Sequence, residues 1–495
     1  MSPLRTSALR LASLAGGVFL AVLVFLPGDS AGPRGPAARG AAEPEEASFV
    51  DVTEAMGLKG NNGGVAAWGD FDNDGWVDVC IGGDIYRNEG GKRFKKVGRV
   101  GGPAVWGDFD NDGYLDLFCW ECGKLYRNIK GRKFKEVKFP PKPMDVSVGA
   151  CWGDFDNDGY LDLYVGGYES PKGYQPDAIF RNKGDGTFVE IWRTKGRSQP
   201  ARGVTCADFN EDGHLDVFVS NYRLEANLLW LNDGTGKFTD VAKAYGAAGN
   251  ERMGWYGHTI GSAWGDLDND GHLDLFVGNF SHPPAYQDRS QFLRNMGPKG
   301  KYHFEDMTKV AKLRWQESYA SPALGDYDND GRLDLYFTTV YPGDKSVLYR
   351  NLGGWKFTEI KNGSGLSVAQ TYQAAWADFD NDGQLDMITG GRLFRNKGTK
   401  NHWLKVRLEG AGKVNRAAIG AQVRLRVGKE TLTRQVEGAT GQGNQNDLTL
   451  HFGLGQAKGP VKLEIRWPDG TRQEVETPVD RTITVKRGEV RKGSK

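Results

Sequence analysis

Residues 154–162 read D-F-D-N-D-G-Y-L-D, with acidic side chains at positions one, three, five and nine and glycine at position six. The pattern D-x-[DN]-x-D-G-x-[LV]-D recurs from Asp70, Asp108, Asp154, Asp208, Asp266, Asp326 and Asp378, at intervals of 38, 46, 54, 58, 60 and 52 residues. Seven copies at such spacing mark a repeat architecture. Two other elements keep the same count. An aromatic residue or Leu followed by Arg-Asn or Leu-Asn ends at Asn88, Asn128, Asn182, Asn232, Asn295, Asn351 and Asn396. F-x-x-[VIM] starts at Phe49, Phe94, Phe134, Phe188, Phe238, Phe304 and Phe357.

The third element therefore precedes the first acidic loop and is missing after Asn396. An open array gains nothing from that offset. A ring does, because the strand at Phe49 can complete the last blade and remove the free edges. The expected fold is all-β: a seven-bladed β-propeller over residues 48–400, closed by its N-terminal strand. In each repeat a small-residue strand such as Gly64–Asp70 suits the crowded channel. The strand after the acidic loop is apolar on both faces, as in Leu161, Leu163 and Val165 opposite Tyr164, so neighbouring blades must cover both. The Arg-Asn and F-x-x-[VIM] elements supply the third and outer strands.

Composition agrees. Seventy glycines in 495 residues, about 14%, are twice the usual ~7% and imply many tight turns. A net charge of +1 argues against nucleic acid or an anionic membrane surface as partner, and 39% hydrophobic residues exclude a mostly disordered chain.

The acidic loops offer the oxygen-rich, glycine-turned setting that Ca²⁺ requires. The expected side-chain ligands are Asp70, Asp72, Asp74 and Asp78; Asp108, Asp110, Asp112 and Asp116; Asp154, Asp156, Asp158 and Asp162; Asp208, Asn210, Asp212 and Asp216; Asp266, Asp268, Asp270 and Asp274; Asp326, Asp328, Asp330 and Asp334; and Asp378, Asp380, Asp382 and Asp386. Trp76, Tyr114, Tyr160, His214, His272, Arg332 and Gln384, at position seven, would add backbone carbonyls. An EF-hand needs Glu at position twelve, where these loops carry Ile81, Cys119, Val165, Val219, Val277, Phe337 and Thr389. The ninth-position Asp takes that role instead. Up to seven structural calcium ions are expected, since 27 carboxylates in seven short loops repel without a cation.

These loops and the strands that follow them resemble the FG-GAP/VCBS repeats of calcium-binding propellers, the integrin α-subunit head among them. Beyond Asn401, NHWLKVRLEG, NRAAIGAQVRLRVG, QNDLTLHFGLG and VKLEIRWPDG resemble the ASPIC/UnbV domain that follows such repeats in cartilage acidic protein-like and bacterial exported proteins. Read physically, residues 401–490 alternate as strands and suggest a small β-sandwich. Residues 401–495 hold 18 Lys+Arg and 10 Asp+Glu, a local charge of +8 that reads either as a solvated surface or as a contact for an anionic partner. His451 reads as packing rather than a catalyst, and residues 491–495 as a basic tail.

At the front, Arg5 and Arg10 precede an uncharged stretch from Leu11 to Leu26. Residues 1–30 are read as a signal peptide or an uncleaved N-terminal anchor, residues 31–47 as a flexible linker, and the chain as exported: secreted, periplasmic or at the cell surface. The membrane would be met only through that segment. Five cysteines do not make a disulfide framework; Cys119 and Cys122 are either a structural bridge or an inert pair, and Cys80, Cys151 and Cys206 are small core residues.

Blades three to six carry enlarged loops on the rim opposite the acidic loops. Their Tyr168, Tyr174, Tyr222, Arg223, Trp255, Tyr256, His258, Tyr286, Arg314, Trp315, Tyr319 and Tyr341 form a candidate ligand patch, or else pack the loops themselves. The leading expectation is a binding module for an extracellular glycan or protein. A polysaccharide lyase or hydrolase using His258, Tyr256, Arg314 and Glu317 is the alternative, and no catalytic residue is assigned because no spacing specifies an acid/base pair. A scaffold whose C-terminal domain does the recognising is the third reading.

Overall fold

A computed structural model describes residues 48–489, apart from 62, 142–143, 282–287 and 315. The readings of residues 1–30, 31–47 and 491–495, and of Tyr286 and Trp315, fall outside the described residues. Seven four-stranded antiparallel sheets form the blades. Blade three shows the plan: Ser147–Gly153, Asp162–Gly167, Ala178–Asn182 and Phe188–Arg193 run from the channel outward. The innermost strands neighbour one another in a complete cycle, Ala66–Gly69, Ala104–Gly107, Ser147–Gly153, Ala201–Ala207, His258–Gly265, Tyr319–Gly325, Ala374–Ala377 and back to Ala66–Gly69.

The seventh blade is completed from the far end of the chain. Phe49–Asp51 pairs antiparallel with Arg392–Asn396, Val50 opposite Arg395, as the rotated order of the repeats requires. Small residues on the inner strands let adjacent blades close up. A Cβ on Gly107 would lie 2.9 Å from the Trp152 ring of the next blade. The indoles in turn stitch blades together: Trp106 Nε1 donates to the Ala67 carbonyl at 3.0 Å, and Trp152 Nε1 to Val105 at 3.2 Å.

The first two strands of blades three to six run six to eight residues, against four in blades one, two and seven. Their extra length raises half of the rim opposite the acidic loops, with a bulge in each extended hairpin, as at Ser147/Gly149 and Thr259/Gly261.

The C-terminal region forms two sheets. Glu430–Gln435, Gln422–Val427, Val461–Arg466 and Arg472–Thr477 make one; Leu450–Gly455, His402–Glu409 and Arg481–Lys486 make the other, its last pair parallel. Its core is continuous with that of the propeller: Val423, Leu425, Ile465 and Trp467 share a buried cluster with Phe109, Trp152 and Leu215.

One segment of this region was not legible in the sequence. Residues 437–447 enter the channel and touch the blades around it. Gln445 exchanges backbone hydrogen bonds with Ala66 and Trp68 at 3.1 and 3.0 Å. Its side chain accepts from Trp106 N at 2.7 Å and donates to Trp106 O at 3.0 Å. Gly438 lies against the Trp152 backbone, Gly441 against Gly203 and Ser321, and Gly441 N donates to Ser262 O at 2.8 Å. Asn446 Oδ1 accepts from Trp376 N at 2.9 Å. Gly441, at φ 59°, must be glycine because a Cβ would meet Ser321 Oγ at 2.4 Å.

Phe49 is buried between blades six and seven, its ring 6.1 Å from both Tyr327 and Trp376. Phe49→Ala should destabilise the protein by about 3–5 kcal/mol in urea unfolding, the cost of emptying an aromatic site. A loss under about 1 kcal/mol would mean that the closing strand adds little.

Candidate metal centres

Each acidic loop is shaped by its own carboxylates. In six of the seven loops the position-one Asp accepts the peptide N–H groups of positions five and six, as Asp154 Oδ1 does from Asp158 N at 3.0 Å and Oδ2 from Gly159 N at 3.0 Å; in blade four Asp212 N turns to Asn210 instead. The position-five Asp accepts from position seven, as Asp158 Oδ1 does from Tyr160 N at 2.9 Å. The buried position-nine Asp accepts from position two and from the Arg-Asn asparagine: Asp162 Oδ2 from Phe155 N at 3.1 Å and Oδ1 from Asn182 N at 2.8 Å.

Carboxylate oxygens of positions one, three and nine converge within 4.8 Å of one another in Asp70, Asp72 and Asp78; Asp108, Asp110 and Asp116; Asp154, Asp156 and Asp162; Asp266, Asp268 and Asp274; and Asp326, Asp328 and Asp334. The position-five Asp does not join these groups. The arginine of the Arg-Asn element grips the position-three Asp from the third strand: Arg181 Nε to Asp156 Oδ2 at 2.7 Å, Arg294 Nε to Asp268 Oδ2 at 2.8 Å, Arg350 Nη2 to Asp328 Oδ2 at 2.7 Å. In four loops the other oxygen is left over, whereas Oδ1 of Asp110 and Asp328 accepts the position-five N–H at 3.3 and 3.2 Å. Oδ1 of Asp72, Asp156, Asp268 and Asp380 is buried without a hydrogen-bond partner. Three converging carboxylates, one with a spare buried oxygen, fit a hard divalent cation. Blade four departs as a pair: Asn210 replaces the position-three Asp and Leu231 replaces the arginine that would have held it.

The protein around these carboxylates disfavours their charge. Burial pushes Asp78 up to about 9 from its ordinary 3.8, Asp154 to about 8 and Asp108 to about 7, with the neighbouring aspartates adding to the rise. Burial likewise lifts Asp116, Asp162, Asp216, Asp274 and Asp386 well above that value.

Two hydrogen-bonded belts join the loops, and both use asparagines that the sequence reading left without a role. At position four, Asn73, Asn111, Asn157, Asn269, Asn329 and Asn381, all at positive φ, donate to the position-six carbonyl of the next loop at 2.7 to 3.3 Å; Asn381 to Gly75 closes the circle. In blade four Glu211 takes the place, bonded to His272 at 2.6 Å. The Arg-Asn asparagines form the second belt. Asn88, Asn128, Asn182, Asn232, Asn295, Asn351 and Asn396 each donate to the position-two carbonyl of the preceding blade at 2.7 to 2.8 Å. Their strict recurrence was the available signal.

The position-seven side chains take other duties. Tyr160 and His272 cover the turn after the asparagine, where a Cβ on Gly184 or Gly297 would touch their rings; Arg332 Nη2 pairs with Asp330 at 2.7 Å, and Gln384 accepts from Asn329 at 3.0 Å.

On the far rim the structure brings together Tyr168, Tyr222, Arg223, His258 and Tyr341. Tyr222 and His258 rings are 4.6 Å apart, and Arg223 forms a two-pronged bond to Glu169 at 2.8 and 2.6 Å. Arg202, missed in the sequence, lies over both Tyr168 and Tyr222 at 5.2 and 4.7 Å. Tyr341 packs with Phe280, its hydroxyl on Glu317 at 3.2 Å. Tyr319 and Tyr256 are not presented to solvent: Tyr319 stacks on Phe337 and meets the Tyr349 hydroxyl, while Tyr256 packs under Lys243 and donates to Glu251. Arg314 lies 3.7 Å from Glu359. Tyr174 and Trp255, 36% and 53% exposed, project outward. Among the described residues Cys119 and Cys122 are bridged, Cys80, Cys151 and Cys206 are buried free thiols, and no helix is long and apolar enough to cross a membrane.

Fold and loops together define a repeat propeller with metal-competent aspartate corners, capped by a β-domain. The family of FG-GAP-like repeats matches residues 108–165, 154–219, 208–277 and 326–389, and the ASPIC and UnbV family matches residues 411–492. The chain belongs to the proteins that combine the two. It is similar to cartilage acidic protein 1 of Xenopus tropicalis, 28% identical over 304 residues, covering 57% of this chain and 44% of that protein. The Mus musculus and Homo sapiens proteins of the same name are each 28% identical over 286 residues, covering 54% of this chain and 42% and 41% of theirs. The matches thus span less than half the length of these curated relatives.

The raised carboxyl groups set a pH signature. In chelator, their contribution to stability is complete below the unfolded value near 3.8 and is lost as pH rises through the folded values of about 7 to 9. The melting temperature in EDTA should therefore fall from pH 5 to pH 9, while calcium, which binds the ionised form, should widen its lead over EDTA across the same range. Parallel pH profiles with and without calcium would contradict this.

Proposed function

We propose that this protein is an exported, calcium-stabilised binding module that recognises an extracellular glycan or protein through the raised rim of blades three to six, with calcium in a structural role. The observation that carries the reading is the buried, unpartnered carboxylate oxygen at position three, set among converging carboxylates in loop after loop. Calcium suits such sites better than Mg²⁺, which resists an all-protein cage, and extracellular calcium modules bind at ~10⁻⁴ to 10⁻³ M. Similarity to proteins named for cartilage and the charge-flanked apolar N-terminal segment favour an extracellular setting.

The occupancy of the other faces supports this choice of ligand face. The C-terminal domain packs on the acidic-loop rim and residues 437–447 occupy the channel, which favours the opposite, raised rim as the surface for a partner. There Tyr174 and Trp255 offer exposed rings, and the Arg223–Glu169 pair offers directed hydrogen bonding beside them. Aromatic and arginine side chains carry most of the energy at recognition surfaces. The test is binding of the full chain to a broad glycan array and to extracellular-matrix proteins. A Trp255→Ala, Tyr174→Ala double variant should weaken capture at least about tenfold without lowering the melting temperature. Undiminished capture by that variant would remove the rim from the reading.

A further inference from the structure

The C-terminal domain meets the acidic loops in a repeated way. In five of the seven loops it donates a hydrogen bond or ion pair to the same atom, the outer oxygen Oδ2 of the position-one Asp. Lys405 Nζ reaches Asp378 at 2.9 Å, Arg407 Nη1 reaches Asp70 at 2.5 Å, and Arg466 Nη2 lies 3.3 Å from Asp208. Peptide groups do the same in the remaining two, Thr433 N to Asp266 and Gly453 N to Asp326, each at 3.1 Å. Among the described residues no such contact reaches Asp108 or Asp154.

Position four is held as well. Lys405 and Arg407 each bond the side-chain oxygen of the position-four asparagine, Asn381 and Asn73, at 2.8 and 2.6 Å. Arg416 N bonds that of Asn111 at 2.8 Å, and Gly455 N and Thr431 N bond the backbone carbonyls of Asn329 and Asn269. These are the residues whose left-handed backbone gives the loop its shape. The domain therefore recognises the folded loop, and a four-carboxylate loop folds this way at neutral pH when a cation offsets its repulsion.

We infer that the C-terminal domain is the outer coordination layer of five calcium loops, fixing the position-one carboxylate so that its inner oxygen faces the ion, and that filling these loops and seating residues 437–447 in the channel are one coupled equilibrium. The inference rests on the calcium reading above. Groups that orient a metal ligand from behind are worth about 10–100-fold in metal affinity, and the coupling is reciprocal: calcium must tighten the domain by the factor with which the domain tightens calcium.

Gln445 makes the test clean, because it is uncharged and bonds to Trp106 rather than to any acidic loop. Calcium titration of the full chain should separate five tighter sites from the rest, and Gln445→Ala should remove that separation. Five sites should weaken about tenfold or more, while that of blade three keeps its affinity. In the unaltered chain, amide hydrogen exchange of residues 437–447 should accelerate at least about tenfold in EDTA, a readout that stands even if the variant folds poorly. Identical isotherms together with calcium-independent exchange would overturn the coupling and leave calcium binding intact. A chain that takes up no calcium at all would overturn both readings.

Discussion

Repulsion among buried carboxylates is the constraint on which the rest depends. Each loop places three or four acidic groups in nine residues at the corner of a blade, and the blade's second strand starts on the most deeply buried of them. Removing four like charges from water costs far more than the hydrogen bonds of one tight loop return. The protein meets the demand in layers: peptide N–H groups on positions one, five and nine, an arginine on position three, a domain pressed against position one, and a spare oxygen turned inward for a cation. Blade four shows the layers to be interdependent, since the missing carboxylate at Asn210 and the missing arginine at Leu231 occur together.

The same corners carry the ring. Both asparagine belts start from residues that border the acidic loops, one reaching forward to the next blade and the other back to the preceding one. A blade whose loop loses its shape loses its bonds to both neighbours. A cation held at one corner would thus act on the closure of the whole circle through side chains that never touch it.

Most of the architecture was legible because it repeats. Position-specific aspartates, the Arg-Asn element and the displaced Phe49 strand fix the number of blades, the order of strands and the closure, each through a requirement met seven times. What repetition cannot reveal is anything that occurs once. Residues 437–447, rich in Gly, Gln and Asn, have no periodicity and carry no repeated motif; their meaning lies in partners hundreds of residues away, such as Ala66 and Trp106. The rim aromatics fail for a different reason. Tyr319 and Trp255 look alike in the sequence, but only the approach of Phe337 and Tyr349 separates a packed ring from a displayed one.

The two ends of the described chain both finish the propeller, one as the outermost strand of the last blade and the other as the filling of its axis. Both joins link positions more than three hundred residues apart, the kind of long-range closure that slows folding most. Until residue 396 has left the ribosome blade seven has only its inherited edge, and until residue 447 has left it the hub has no core. Synthesis must therefore pass residue 447 before the fold can lock, and the partly made wheel, with open sheet edges and an unfilled bore, is the form most in need of a chaperone.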